Sequence, residues 1–273
     1  MSESVRSIDV TRVGDAAAIA ARDVAATEEP LEIRLHGIPF VVIMRTPGAD
    51  RELAAGFLLS ERIIQTADDI GGIRQCADPD AGELRNVLNV TLHGDAASRV
   101  AALRTARRAT TSNSSCGICG RRSIDDLLTA VSPVRTDWRV GRELIQNLPD
   151  RLRAAQTAFD ETGGLHAAGL FDRNGALVGC AEDVGRHNAV DKVIGTQVLM
   201  NRLPLDERIL FVSGRTSFEI VQKAVVAGIP LVASVSAPSS LAIELAEDAN
   251  ITLLGFVRGT MFNAYTGLAR LNL

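Results

Sequence analysis

The sequence predicts an α/β protein with a mainly parallel sheet and, ahead of it, a smaller α+β unit. Two observations carry this. From residue 208 onward, short apolar strands alternate with helical segments of about a dozen residues, the pattern of β-α-β units. Ile209-Leu-Phe-Val, Leu231-Val-Ala and Ile251-Thr-Leu-Leu are unbroken apolar runs, as expected of strands covered on both faces.

Taken in order, residues 1–28 are Ala-rich and polar with no sustained period, and are expected to form a flexible N-terminal arm. Leu31-Glu-Ile-Arg-Leu alternates like a strand, Gly37 punctuates it, and Phe40-Val-Val-Ile-Met is a second strand. A helix is expected from Asp50, its capping residue, to about Ile64, with Leu53, Ala54, Phe57 and Leu58 on its apolar face. Ile70–Gln75 and Leu84–Leu92 complete a small α+β domain over residues 29–108. The larger domain, 109–273, begins with a Cys-containing loop. It continues with a helix from Pro149 to Glu161 and strands 167–171 and 176–181, joined by the turn Asp172-Arg-Asn-Gly175. Helices 186–200, 216–227 and 239–248 then alternate with strands 208–212, 230–235 and 251–257.

Composition narrows the function. The chain has 273 residues, 46% of them hydrophobic, and a net charge of −4. An acidic balance argues against broad nucleic-acid binding, which needs a dominant basic face. No apolar run reaches the roughly 18 to 20 residues that span a bilayer. The polar N-terminus lacks a signal-peptide core, so a cytoplasmic protein is expected.

The densest reactive cluster is the loop Thr110-Thr-Ser-Asn-Ser-Ser-Cys116-Gly-Ile-Cys119-Gly120. Cytosolic thiols stay reduced, so a C-x-x-C there suggests chemistry or metal rather than a structural staple. Arg121, Arg122 and the start of an expected helix favour the thiolate, which is the nucleophile in sulfur chemistry. Structural zinc usually takes four Cys or His ligands, and Cys76, Cys180 and the four His show no matching spacing. A thioredoxin-like motif would sit in a compact βαβ context, whereas this one follows a Ser/Thr-rich stretch. Zinc deaminases need H-x-E and P-C-x-x-C, where this chain has His187-Asn-Ala and Ser115.

Three junctions between a strand and a helix are polar: Glu182-Asp-Val-Gly185-Arg-His187-Asn188, Ser213-Gly-Arg215-Thr-Ser217 and Ser234-Val-Ser-Ala-Pro-Ser239-Ser240. Strand ends and helix starts of this kind gather anions, and Arg186 and Arg215 add charge suited to phosphate. His187 is a candidate acid, base or proton relay. The tail Gly255-Phe-Val-Arg258-Gly259 reads either as a nucleotide contact or as a core strand and turn.

Together, Ser-Ser-Cys116-Gly-Ile-Cys119-Gly, Glu182-Asp-Val-Gly-Arg-His-Asn-Ala-Val-Asp-Lys192, Ser213-Gly-Arg-Thr-Ser-Phe-Glu-Ile-Val-Gln-Lys223 and Gly255-Phe-Val-Arg-Gly resemble the FdhD family of formate dehydrogenase accessory sulfur carriers. The resemblance runs from about Leu31 to the C-terminus. It implies a cytidine-deaminase-like three-layer domain and a homodimer. It further implies a sulfurtransferase that accepts persulfide sulfur from a cysteine desulfurase on Cys116. That sulfur passes to the molybdenum cofactor in its bis-guanine-dinucleotide form, for formate dehydrogenase. Cys119 either accepts the sulfur in turn or closes a disulfide that releases product. The cofactor-contact segment falls on Phe256, Val257, Arg258, Gly259, Thr260 and Met261, to which Arg186, His187 and Arg215 add the sheet-edge groups. Some members place Pro between the Arg and the Gly of this segment. The alternative is a cofactor-binding chaperone whose cysteines hold metal or contact the client without sulfur transfer.

Overall fold

The computed structural model describes residues 4–15, 17–76, 86–107 and 133–273. Cys116 and Cys119, the arginines and expected helix that follow them, Leu84 and the expected domain boundary at 108/109 lie outside these residues.

The N-terminal stretch pairs with itself. Strands β1 (Val5–Val13) and β2 (Ala18–Ala26) form an antiparallel hairpin within the stretch read from sequence as a flexible arm. None of its residues is buried on either face, so it carries no alternating apolar pattern that would announce strands.

Strands β3 (Glu29–Leu35) and β4 (Ile38–Arg45) form a hairpin whose two-residue turn, His36-Gly37, has positive φ at both positions. That is the backbone a tight hairpin turn requires, and Gly37 supplies it without strain. Strand β3 also pairs in parallel with β6 (Val87–Leu92), which is antiparallel to β5 (Ile70–Gln75). The sheet order is β4-β3-β6-β5. Helix α1 (Asp50–Ser60) packs on this sheet, and a second helix, α2 (Gly94–Arg107), follows it. Asp50 does not cap α1. Its carboxylate takes Nε and Nη2 of Arg45 at 2.9 and 2.8 Å, which keeps a cation that is only 2% exposed paired.

The short β7 (Val140–Gly141) leads into helix α3 (Arg142–Arg153), and α4 (Thr157–Thr162) follows. The single helix expected from Pro149 is therefore two, with Pro149 inside the first rather than at a start.

The large sheet contains β8 (His166–Asp172), β9 (Leu177–Asp183), β10 (Arg208–Val212), β11 (Leu231–Ser234), β12 (Thr252–Arg258) and β13 (Met261–Ala264). Its order is β13-β12-β11-β10-β8-β9. Only β10–β11 and β11–β12 are parallel; β10–β8, β8–β9 and β12–β13 are antiparallel. The mainly parallel sheet expected from sequence is thus a mixed one. The β-α-β rule holds in the centre, while the turns at Asp172–Gly175 and at Gly259 fold the flanking chain back as hairpins. A short β14 (Leu271–Asn272) closes the chain against β7.

Helices α5 (Arg186–Leu199), α6 (Phe218–Ala227) and α7 (Ser240–Asp248) cover one face of this sheet. One apolar core there includes Leu170, Val212, Val232 and Leu253 from the strands. The same core takes in Leu31, Ile33, Leu53 and Leu58 from the first region. A second cluster, with Ile145, Leu148 and Leu152 of α3 against Phe171, Ile209 and Phe211, fills the other face. Among the described residues no helix is long and apolar enough to cross a membrane.

Two features join the first region to the second. Helices α1 and α5 cross backbone to backbone: a Cβ on Gly195 would lie 1.8 Å from the Glu52 carbonyl oxygen, and one on Gly56 would lie 1.9 Å from that of Asp191. Beside this crossing sits a buried clamp. Asp183, fully buried, pairs with Lys192 Nζ at 2.7 Å and accepts from the Thr46 N–H at 3.1 Å. Lys192 Nζ also donates to the Thr46 carbonyl at 2.7 Å, and Asn188 Nδ2 bridges Asp183 and the Met44 carbonyl.

Gly195→Ala should therefore lower stability by about 1–3 kcal/mol, the range for overpacking. Helix propensity alone would favour Ala, so a urea midpoint above wild type would contradict the close crossing. Lys192→Met leaves Asp183 as an unpaired buried charge, and a loss of about 3–5 kcal/mol is expected. A loss below about 1 kcal/mol in the same denaturation measurement would show that the clamp is not holding the two regions together.

Candidate functional site

Strands β9, β10, β11 and β12 all run the same way, because β8 is antiparallel to both of its neighbours while β10–β11 and β11–β12 are parallel. Their C-terminal ends lie along one edge of the sheet. The three polar junctions read from sequence, the end of β12 and the start of the opposed strand β8 therefore meet there, where open α/β sheets bind ligands.

Arg186 opens α5 at this edge. Its Nε is buried and has no hydrogen-bond partner, an arrangement that favours an acceptor brought by a ligand. His166, at the start of β8, lies beside it. A Cβ on Gly214 would sit 3.3 Å from His166 Nδ1 and 3.7 Å from Arg186 Cδ, so the absent side chain leaves room for both. Ser213 Oγ accepts from the Ala167 N–H at 2.8 Å and ties β8 to the junction after β10. Arg215 is exposed.

His187 bridges two helix starts. Its Nε2 is 3.0 Å from Ser217 Oγ, and its Nδ1 is 3.2 Å from Glu219 Oε2. Burial, and then the charges of Arg186 and Lys223, push the imidazole down to about 3, so the ring is neutral near pH 7. Burial also lowers His166, with Arg186 adding to the effect, and burial raises Glu219. Behind Glu219, Lys223 Nζ donates to both oxygens of Asp191 at 2.7 and 2.8 Å, and Ser60 Oγ adds a third bond at 2.9 Å.

On the α3 side, a cavity of about 670 Å³ reaches the same edge. Leu152, Phe159, Leu165, Phe211 and Val235 give it apolar walls, and His166 and Ser213 give it polar groups. Arg153, which also lines it, lies over the Phe159 ring at 4.8 Å. This size and lining suit a nucleotide-sized ligand.

The tail segment splits in two. Phe256, with φ of 53°, is 40% exposed, and the Arg258 guanidinium lies 5.9 Å from its ring centroid. Arg258 Nε donates to the carbonyl of Val235, a cavity residue, at 2.9 Å. Gly259 has φ of 53° and forms the turn, the Thr260 carbonyl accepts from Gln146, and Met261 is largely exposed. Val257, by contrast, is fully buried in the core, so its side chain is not available to a ligand.

Several residues of the 182–192 segment that looked functional hold the fold instead. Asp183, Asn188 and Lys192 form the clamp, Asp191 is paired with Lys223, and Glu182 accepts the N–H groups of Ala158 and Phe159 at the start of α4. Sequence reasoning missed His166 and Glu219. His166 carries no local motif, and Glu219 becomes informative only once Ser217 and His187 face each other across two helices. Cys180, half-buried on β9, has its thiol pushed up to about 11 by burial and then by Glu182, and so stays protonated.

The FdhD/NarQ family model matches residues 26–272. The chain is 49% identical over 270 residues to the sulfur carrier protein FdhD of Streptomyces avermitilis, covering 97% of this chain and 94% of that protein. It is 44% identical to that of Sulfolobus acidocaldarius, covering 98% and 99%. A crystal structure from Desulfotalea psychrophila, assigned as a formate dehydrogenase accessory protein, shares the fold with a TM-score of 0.77 at 23% identity, over 98% of this chain and 99% of that one. Matched across nearly its whole length, with its three described motif segments meeting at one sheet edge, the chain belongs to the FdhD/NarQ family.

Proposed function

We propose that this protein is a cytoplasmic sulfurtransferase that carries persulfide sulfur on Cys116 to a molybdenum cofactor in its bis-guanine-dinucleotide form. The donor is a cysteine desulfurase, the client is formate dehydrogenase, and the carrier works as a homodimer. The observation that carries this reading is the nucleotide-sized cavity opening at a sheet edge beside the unpartnered Arg186 Nε, in a chain close to relatives named as sulfur carriers.

In the loading step the Cys116 thiolate attacks the outer sulfur of the donor persulfide. A new S–S bond forms on Cys116, the donor S–S bond breaks, and the donor leaves as a thiolate, as in thiol–disulfide exchange. Cys119 is placed three residues on, either to take the sulfur or to displace it as a disulfide forms. The cofactor is cargo. One guanine-nucleotide arm lies in the cavity, with its base against the apolar wall. Its phosphates lie at the helix starts, where Arg186 and free backbone N–H groups face them. Arg215, on the exposed side, meets the outer phosphates, and Phe256 and Arg258 flank the second arm.

Intact-mass measurement after incubation with a cysteine desulfurase and cysteine should show one sulfur atom gained and lost again on reduction. Cys116→Ala should abolish the gain with the fold unchanged; full loading on that variant would overturn the assignment. Calorimetry with GDP should show Arg186→Ala weakened by about 1.5–3 kcal/mol, the value of a hydrogen bond to a charged group. Unchanged affinity in both Arg186→Ala and Arg215→Ala would remove the phosphate site.

A further inference from the structure

Helices α6 and α7 start in the same way, each with a serine at the residue before its first turn: Ser217 and Ser239. Ser239 does what a serine there ordinarily does, accepting the Ala242 N–H on its side chain at 3.3 Å. Ser217 makes no such bond. Its hydroxyl is turned to His187 Nε2 at 3.0 Å, and His187 Nδ1 meets Glu219 at 3.2 Å.

We propose that Ser217, His187 and Glu219 form a reactive-serine site for esters that carry an anionic group. A carboxylate at Nδ1 holds the ring proton there and leaves Nε2 to accept from the serine, which is the nucleophile–base–orienter order of a hydrolytic triad. The set is only part-buried: the His187 and Glu219 side chains are 25% and 16% exposed, so a small electrophile reaches Ser217 from the sheet edge. The Phe218 and Glu219 N–H groups precede the first backbone bond of α6, which the Ile220 N–H makes to the Ser217 carbonyl, and they stand next to Ser217, where an oxyanion would form. Arg186, adjacent to His187 in sequence, has its buried Nε unpartnered and supplies the group that recognises the anion.

The reaction balances without a co-reactant other than water. Ser217 Oγ bonds to the carbonyl carbon as its proton passes to His187 Nε2, once the anionic group of the ester has paired with Arg186 and offset one of the charges that disfavour this protonation. The ester C–O bond breaks, and the alcohol leaves with that proton. Water, deprotonated by His187, then cleaves the acyl–serine bond to give the acid and restore the hydroxyl. Ser217 and His187 are the catalytic residues, and Glu219 is a positioning residue that acts through His187.

The test uses the full-length protein with diisopropyl fluorophosphate, followed by intact mass and peptide mapping. One adduct on Ser217 is expected, absent in Ser217→Ala and formed at least tenfold more slowly in His187→Gln. Glu219→Gln should be slow and Glu219→Asp partly restored, which a merely structural role would not produce. If His187→Gln does not fold, the Glu219 pair decides. With 4-nitrophenyl acetate and its ring-sulfonated analogue, wild type should prefer the sulfonated ester and Arg186→Gln should lose that preference. No adduct on folded wild type, an adduct retained in Ser217→Ala, equal rates across the Glu219 variants, or no preference between the esters would overturn the proposal. The labelling needs neither desulfurase nor cysteine, so failure here is separable from failure of sulfur loading.

Discussion

The rest of the structure depends on the close crossing of α1 and α5. Two glycines let two backbones touch where any side chain would overlap a carbonyl. That contact sets the distance between the small sheet and the large one. It also fixes where α5 begins, and therefore where Arg186 and His187 stand. The Asp183–Lys192 clamp acts beside it, directed at the backbone of residues 44–46. Apolar packing on one continuous core supplies the bulk of the attraction. The clamp supplies direction, because a buried pair of charges tolerates only the geometry that satisfies it.

The site is a product of strand direction more than of any single motif. Four strands that end on one edge gather residues far apart in the chain, from His166 to Arg258. Three guanidinium groups, those of Arg186, Arg215 and Arg258, stand along that edge, and Arg186 disfavours protonation of His187. A chain with net negative charge thus presents a local field suited to an anion.

Much of the later chain was legible in sequence. Strand Arg208–Val212 is found as expected, and α5 differs by one residue at its end, because unbroken apolar runs and polar junctions mark both elements. The alignment of the three junctions was legible for the same reason. What sequence could not give was strand direction at the sheet margins, since an apolar strand reads alike in either sense. Nor could it separate the charged residues of 182–192 into those that bind the fold and those that face the edge; only folding gives Asp183 its buried partners and leaves Arg186 Nε without one. The β1–β2 hairpin was hidden because both its faces are wet, and Pro149 misled because its position within a helix is uncommon. His166 and Glu219 gained meaning only from neighbours that folding brings.

The crossing of α1 and α5 also bears on how the chain can be divided. A fragment retaining only the six-stranded sheet and its helices would expose the α5 surface around Gly195, a backbone groove with nothing to fill it. Lys192 would lose the Thr46 carbonyl, and Lys223–Asp191 would lose Ser60. Such a fragment would present a charged cleft rimmed by the apolar flank of α5, a surface prone to self-association. The two regions therefore behave as halves of one cooperative unit, and unfolding of either should carry the other with it.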